Sequence, residues 1–208
     1  MEAGLDIKTL KVGPLETNCY ILSNKKEAVV IDPGGDAELI IGELEKESLK
    51  PKFILNTHGH HDHVLANDEL SNFANKAIHI HPEDVYLLTS QLSLLPELML
   101  EKNYKTVDLA EGQELEFDDE KILVMHTPGH TKGSVSFLVA GNLFCGDLLF
   151  KQSIGRTDLE GSSPEDMIKS LQRVMKMDKE IAVYPGHGPS TKISEEVAEN
   201  PFLGELNL

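Results

Sequence analysis

A chain of 208 residues, 40% of them hydrophobic, can bury a core of its own, and one domain over 1–208 is the expectation. Its formal net charge of −16 repels polyanions and its lysines are scattered, which argues against nucleic acid as a partner. No apolar run reaches the length that spans a bilayer, the first residues lack the basic start and apolar stretch of a secretion signal, and Cys19 and Cys145 sit in apolar runs; a cytoplasmic protein with reduced thiols is expected.

Strands are predicted over Leu5–Val12, Asn18–Ser23 and Glu27–Asp32, with turns at Gly13-Pro14 and Asn24-Lys25. Asp36 then stands where an N-cap belongs, opening a helix to about Ser48 with Ala37, Ile40, Ile41 and Leu44 on one face. Pro51–Asn56 reads as a buried strand. It runs straight into Thr57-His58-Gly59-His60-His61-Asp62-His63, which gathers four of the nine histidines and a carboxylate. Neutral imidazoles and carboxylates bind divalent cations, and the C-terminal end of a strand is the usual place for a site in an α/β sheet. His63 is expected to begin a helix reaching Phe73. In Ala77-Ile78-His79-Ile80-His81, alternation puts His79 and His81 on one strand face as a structural pair. The leucine-rich stretch from Pro82 to Tyr104, interrupted by Ser90 and Pro96, reads as a helical pair capping the core; a wall over the ligands and a dimer patch are its alternatives.

In the second half, Gln113–Phe117, Lys121–Met125, Val135–Val139 and Asn142–Cys145 read as strands. Ser163-Pro164-Glu165-Asp166 is a capping-box start for a helix burying Met167, Ile168, Leu171, Val174 and Met175. Strands alternating with amphipathic helices, without a linker between the halves, indicate an α/β fold. Three segments place a His or Asp after an apolar stretch and beside Gly or Pro: Thr127-Pro128-Gly129-His130, Cys145-Gly146-Asp147 and Pro185-Gly186-His187-Gly188. With the first cluster they make a candidate set of His58, His60, Asp62, His63, His130, Asp147 and His187. Five imidazoles and two carboxylates are too many for one tetrahedral ion with an open position; two ions sharing a bridging carboxylate are more economical, and paired ions suit hydrolysis. His61 reads as site rim and His126 as a packing or hydrogen-bonding residue. Asp32 either orients a ligand histidine or is a turn carboxylate.

The order His-x-His-x-Asp-His, then a His, an Asp and a last His at wide spacing, resembles the metallo-β-lactamase superfamily. Thr127–Ser134 (TPGHTKGS), Gly146–Phe150 (GDLLF), Ile154–Asp158 (IGRTD), Gly186–Thr191 (GHGPST) and Asn200–Leu203 (NPFL) resemble its single-domain branch related to glyoxalase II. The likeness runs from about Val12 to Leu203. It implies an αββα sandwich of two mixed sheets packed face to face with helices outside. It implies two divalent ions, zinc or iron with manganese as a third option: His58, His60 and His130 on the first, Asp62, His63 and His187 on the second, and Asp147 between them. The activity implied is hydrolysis of small S-acyl thioesters by a metal-bound hydroxide whose remaining hydrogen Asp62 or Asp147 holds. A thiolate leaving group requires no general acid. Lys151 and Arg156 are candidates for a substrate carboxylate, with an Arg156–Asp158 ion pair as the alternative for Arg156. The helical domain with which full-length glyoxalase II grips glutathione is not expected here, so the identity of the thiol stays open. A mono-iron persulfide dioxygenase, which shares the Gly-Arg-Thr-Asp stretch, and a non-catalytic metal-binding or interaction module are the other readings. Monomer and homodimer are both compatible with the sequence, with no membrane partner.

Overall fold

A computed structural model describes residues 5–24, 26–90 and 104–204. The chain divides after Leu109 into two compact units.

The first unit is built on one six-stranded sheet in the order β1-β2-β3-β4-β5-β6. Its strands are β1 (Asp6–Val12), β2 (Thr17–Asn24), β3 (Glu27–Ile31), β4 (Lys50–Leu55), β5 (Ile78–Ile80) and β6 (Thr106–Asp108). β1, β2 and β3 pair antiparallel through tight turns, whereas β3 to β6 are parallel neighbours, so each of those pairings needs a crossover. Helices α1 (Ala37–Lys46) and α3 (Asn67–Ala74) lie in the first two crossovers. Ile40, Leu44 and Leu70 on them join Ile21, Val30, Ile54 and Ile78 from the strands in one buried cluster. That explains the near-continuous apolar run of β3, which is covered on both faces.

Two expectations fail locally. Asp36 precedes α1, but with φ at +48° its side chain makes no cap; the carboxylate accepts the Gly13 N–H instead, tying the β1–β2 turn to the helix start. The helix expected from His63 to Phe73 is two pieces, α2 (His61–Val64) and α3, with Leu65 and Ala66 between them. The Ala66 N–H goes to the Pro33 carbonyl, a tertiary bond outside any continuous helix. The second half of the expected helical pair, residues 91–103, lies outside the described residues. What precedes it is a 3-10 turn at Pro82–Asp84 and α4 (Leu87–Ser90).

The second unit holds a sheet in the order β14-β13-β10-β9-β8-β7. β7 (Glu114–Phe117), β8 (Glu120–His126), β9 (Val135–Val139) and β10 (Asn142–Gly146) form an antiparallel meander. After α5 (Pro164–Met175), β13 (Ala182–Pro185) lies parallel to β10, and β14 (Thr191–Lys192) closes the edge. A small hairpin of β11 (Leu149–Phe150) and β12 (Ser153–Ile154) follows β10, and α6 (Ile193–Glu199) and α7 (Pro201–Gly204) end the unit. Ser163 caps α5 as expected, its Oγ accepting the Asp166 N–H at 3.2 Å with Pro164 in the first turn. Met167, Leu171, Val174 and Met175 are buried against Leu143 and Val183, but Ile168 is 41% exposed and faces outward.

Candidate metal centre

In the first unit the histidine loop leaves the C-terminal end of β4, between the ends of β3 and β5. The Asp32 N–H binds the Leu55 carbonyl and the Asn56 N–H binds that of His79, so both neighbouring strands grip the start of the loop. Asp32, with φ at +51°, turns a fully buried carboxylate back under it. This carboxylate accepts the Thr57 N–H at 2.7 Å, the Thr57 hydroxyl at 2.6 Å and His63 Nδ1 at 2.9 Å. The Thr57 hydroxyl, spent as a donor on Asp32, is left to accept from His58 Nδ1 at 3.1 Å. Both imidazoles therefore carry their proton on Nδ1 and turn an Nε2 lone pair outward, as ligand histidines do.

The other residues of the cluster are close by. The His58 ring centre is 4.1 Å from that of His63 and 4.8 Å from that of His60. Asp62 Oδ2 stands 3.5 Å from His63 Nε2 and accepts the Thr17 hydroxyl at 3.3 Å. His61, nearly half-exposed, lies at the margin of the cluster. Asp32, His58 and His63 could be counted as a metal triad by proximity. We read Asp32 instead as the orienting group, because both its oxygens are committed to the loop.

The second unit carries His130, Asp147 and His187. His130 sits in the β8–β9 loop, which presses on the first turn of α5: a Cβ on Gly129 would lie 2.4 Å from Met167 Cα. The Ser163 N–H binds the Gly129 carbonyl at 2.8 Å. Asp147 and His187 emerge just past the C-terminal ends of the parallel neighbours β10 and β13, held together by a bond from the Gly186 N–H to the Gly146 carbonyl. His130 Nδ1 donates to the Arg156 carbonyl at 2.9 Å, which places the ring proton on Nδ1 here too. Asp147 Oδ2 is 3.5 Å from His130 Nε2 and 3.8 Å from His187 Nε2.

These separations test the donor set. Two ligand atoms each about 2.0–2.1 Å from one tetrahedral ion stand about 3.3–3.4 Å apart. Within each unit, the imidazole-to-carboxylate distances of 3.5–3.8 Å are near that value and longer than a good hydrogen bond. The residues fit divalent metal.

Lys151 and Arg156 are engaged elsewhere. Arg156 forks onto Asp158 at 2.9 and 3.0 Å, and Lys151 Nζ is 3.7 Å from a Glu195 carboxylate. His126 donates Nε2 to the Lys132 carbonyl. His79 lies in β5 edge-on to Phe53, whereas His81 falls just past that strand, where it begins the 3-10 turn and accepts the Glu83 N–H. Thr57 and the Arg156 carbonyl, which sequence reasoning passed over, hydrogen-bond candidate ligand histidines. Only Thr57, adjoining the cluster, carried a signal.

A family model described as the metallo-β-lactamase superfamily matches residues 12–187. The chain belongs to that superfamily. Its two mixed sheets and flanking helices are the α/β metallo-β-lactamase fold. Superfamily membership supports a metal-dependent hydrolase in general terms. The BLEG-1 B3 metallo-β-lactamase structure is 37% identical, with a TM-score of 0.85 over 95% of this chain and 99% of that one. The structure of TTHA1623 in a di-iron-bound form is 35% identical, with a TM-score of 0.86 over 94% of this chain and 100% of that one. A relative from Haemophilus influenzae, hydroxyacylglutathione hydrolase GloC, is 33% identical over 96% of this chain and 98% of its own length. Among the described residues, no helix is long and apolar enough to cross a membrane.

Proposed function

We propose that this superfamily member is a binuclear hydrolase of small S-acyl thioesters, of glyoxalase II type, acting in the cytoplasm. By the family resemblance, His58, His60 and His130 would hold one ion and Asp62, His63 and His187 the other, with Asp147 as the shared carboxylate. The observation that carries this reading is the Asp147 carboxylate oxygen faced by the Nε2 atoms of both His130 and His187. The likeness to a protein named hydroxyacylglutathione hydrolase supports the thioester part.

Divalent ions bound there supply an acidified water and polarise a substrate carbonyl. The chain does the rest. Asp32 and Thr57 fix the tautomers of His58 and His63, and the Arg156 carbonyl fixes that of His130, so none of these three imidazoles need reorient during turnover. The Asp62 and Asp147 carboxylates, as acceptors, would take the hydrogen of a water held there and orient its lone pair. The departing sulfur leaves as thiolate without a proton donor, consistent with a site whose buried acids are all committed as ligands or supports. Lys151, in the turn of the hairpin that follows Asp147 and 3.7 Å from the exposed Glu195 carboxylate, can exchange that partner and is the candidate for a substrate carboxylate.

Metal-loaded protein should hydrolyse a panel of thioesters of several thiols, and a chelator should abolish the activity. Persulfide-dependent oxygen uptake or faster β-lactam hydrolysis, run as controls, would replace the thioester reading if either exceeds it. One tightly held ion in fully loaded protein would end the binuclear part.

A further inference from the structure

We propose that Asp84 is a positioning residue for the metal loop, holding the peptide between His58 and His60 in register; the inference rests on the two-ion reading above. Asp84 is fully buried in the first unit, and its Oδ2 accepts the Gly59 N–H at 2.9 Å. A buried carboxylate is costly to desolvate and persists where its bonds compensate. One of those bonds goes to the single residue separating two ligand histidines.

The turn that carries Asp84 is stiff. Pro82 occupies its first position, His81 Nδ1 accepts the Glu83 N–H at 3.3 Å, and the Asp84 N–H returns to the His81 carbonyl at 3.0 Å. The loop lies tight against it, since a Cβ on Gly59 would stand 2.7 Å from the Asp84 carbonyl oxygen and 2.8 Å from Leu87 Cβ. On the preceding side the Thr57 N–H ends on Asp32 at 2.7 Å. Two buried carboxylates, from the end of β3 and from the turn after β5, thus take the alternate N–H groups at 57 and 59 and bracket His58. Through the Gly59 N–H, Asp84 acts on the backbone between the two imidazoles. Its role is to set the spacing of His58 and His60, which must meet one ion together.

Full-length protein stripped and reloaded with zinc tests this by chelator competition, metal analysis and thermal melting. The variants are Asp84→Ala, Asp84→Asn and the packing control Ile40→Val. Asp84→Ala is expected to weaken one of two metal equivalents by about tenfold and leave the other nearly unchanged, as loss of a supporting bond does. Asp84→Asn keeps an oxygen acceptor without its charge and should give a smaller loss at the same equivalent. Ile40→Val should lower Tm with both equivalents intact. The assignment is overturned if Asp84→Ala, or Asp84→Asn should the alanine variant not fold, binds both ions with wild-type affinity. It is equally overturned if both equivalents weaken together in step with Tm. Wild-type protein that takes up no second ion sinks the two-ion reading, and this inference with it, before any variant is compared.

Discussion

A methyl group on Gly155 would stand 1.7 Å from the carbonyl oxygen of Asp147, and one on Gly34 1.8 Å from that of Asp62. Each of these two candidate ligands is therefore seated by a backbone that only glycine lets approach. Gly155→Ala and Gly34→Ala are expected to lower both Tm and metal content, by melting and elemental analysis. Gly42, inside α1 with nothing within 4 Å of a built Cβ, is the contrasting case. Gly42→Ala should stabilise by about 0.5–1 kcal/mol, because the helix then loses less backbone entropy. At the ligands themselves, Asp147→Ala should weaken both ions and His187→Ala mainly one; equal loss at both positions would contradict the division proposed for them. The seven candidate ligands could be named from the sequence because imidazole and carboxylate announce their chemistry. Their supports were less legible. The Arg156 carbonyl is backbone and has no residue code, and Asp84 stood in a stretch that reads as leucine-rich packing.

The longer strands were legible to within a residue or two because their apolar runs end at Gly, Pro and Asn, whereas β6, β11, β12 and β14 are too short to show a period; the Ser163 cap was legible because both its partners are local. Ser163→Ala should cost about 1 kcal/mol in chemical denaturation. What failed at this scale was decided by distant chain. Asp36 is a good cap by type, but the Gly13 N–H claims its carboxylate. The stretch from His63 to Phe73 looks continuous, but the Pro33 carbonyl claims the Ala66 N–H and the helix breaks. Strand β5 carries a titration of its own. Burial lowers the pKa of His79 from its usual 6.5, so folding favours the neutral ring. A depressed pKa contributes stability that is present above about 6.5 and is lost as pH falls through the lower folded value. His79→Asn should therefore flatten the fall in denaturation midpoint between about pH 7 and pH 5 relative to wild type. Parallel slopes in the two proteins would show that His79 makes no such contribution.

For the molecule as a whole, 35 acidic residues against 19 basic ones make self-repulsion the dominant long-range term. Exposed pairs such as Lys121–Glu114 offset little of it. Raising salt from about 0.05 to 0.5 M should therefore raise Tm, since the screening length shortens several-fold; a fall would mean that ion pairs outweigh the repulsion. The superfamily was legible at this scale because its ligands recur in a fixed order along the chain. The sheet orders were not, because periodicity reports which face of a strand is buried and says nothing of which strand lies beside it.

The four parallel neighbours β3 to β6 have a consequence for preparing the protein. Each of their pairings must wait for a crossover to close, and the histidine loop lies inside the β4–β5 crossover. The meander β7–β10 joins consecutive strands and can form early. During refolding, His58, His60, Asp62 and His63 thus pass through a period as loose side chains on an unregistered loop. A metal ion offered then binds them in whatever spacing the chain happens to present, and such binding favours the unfolded state. Refolding in chelator, followed by metal, is the order of addition that the topology recommends.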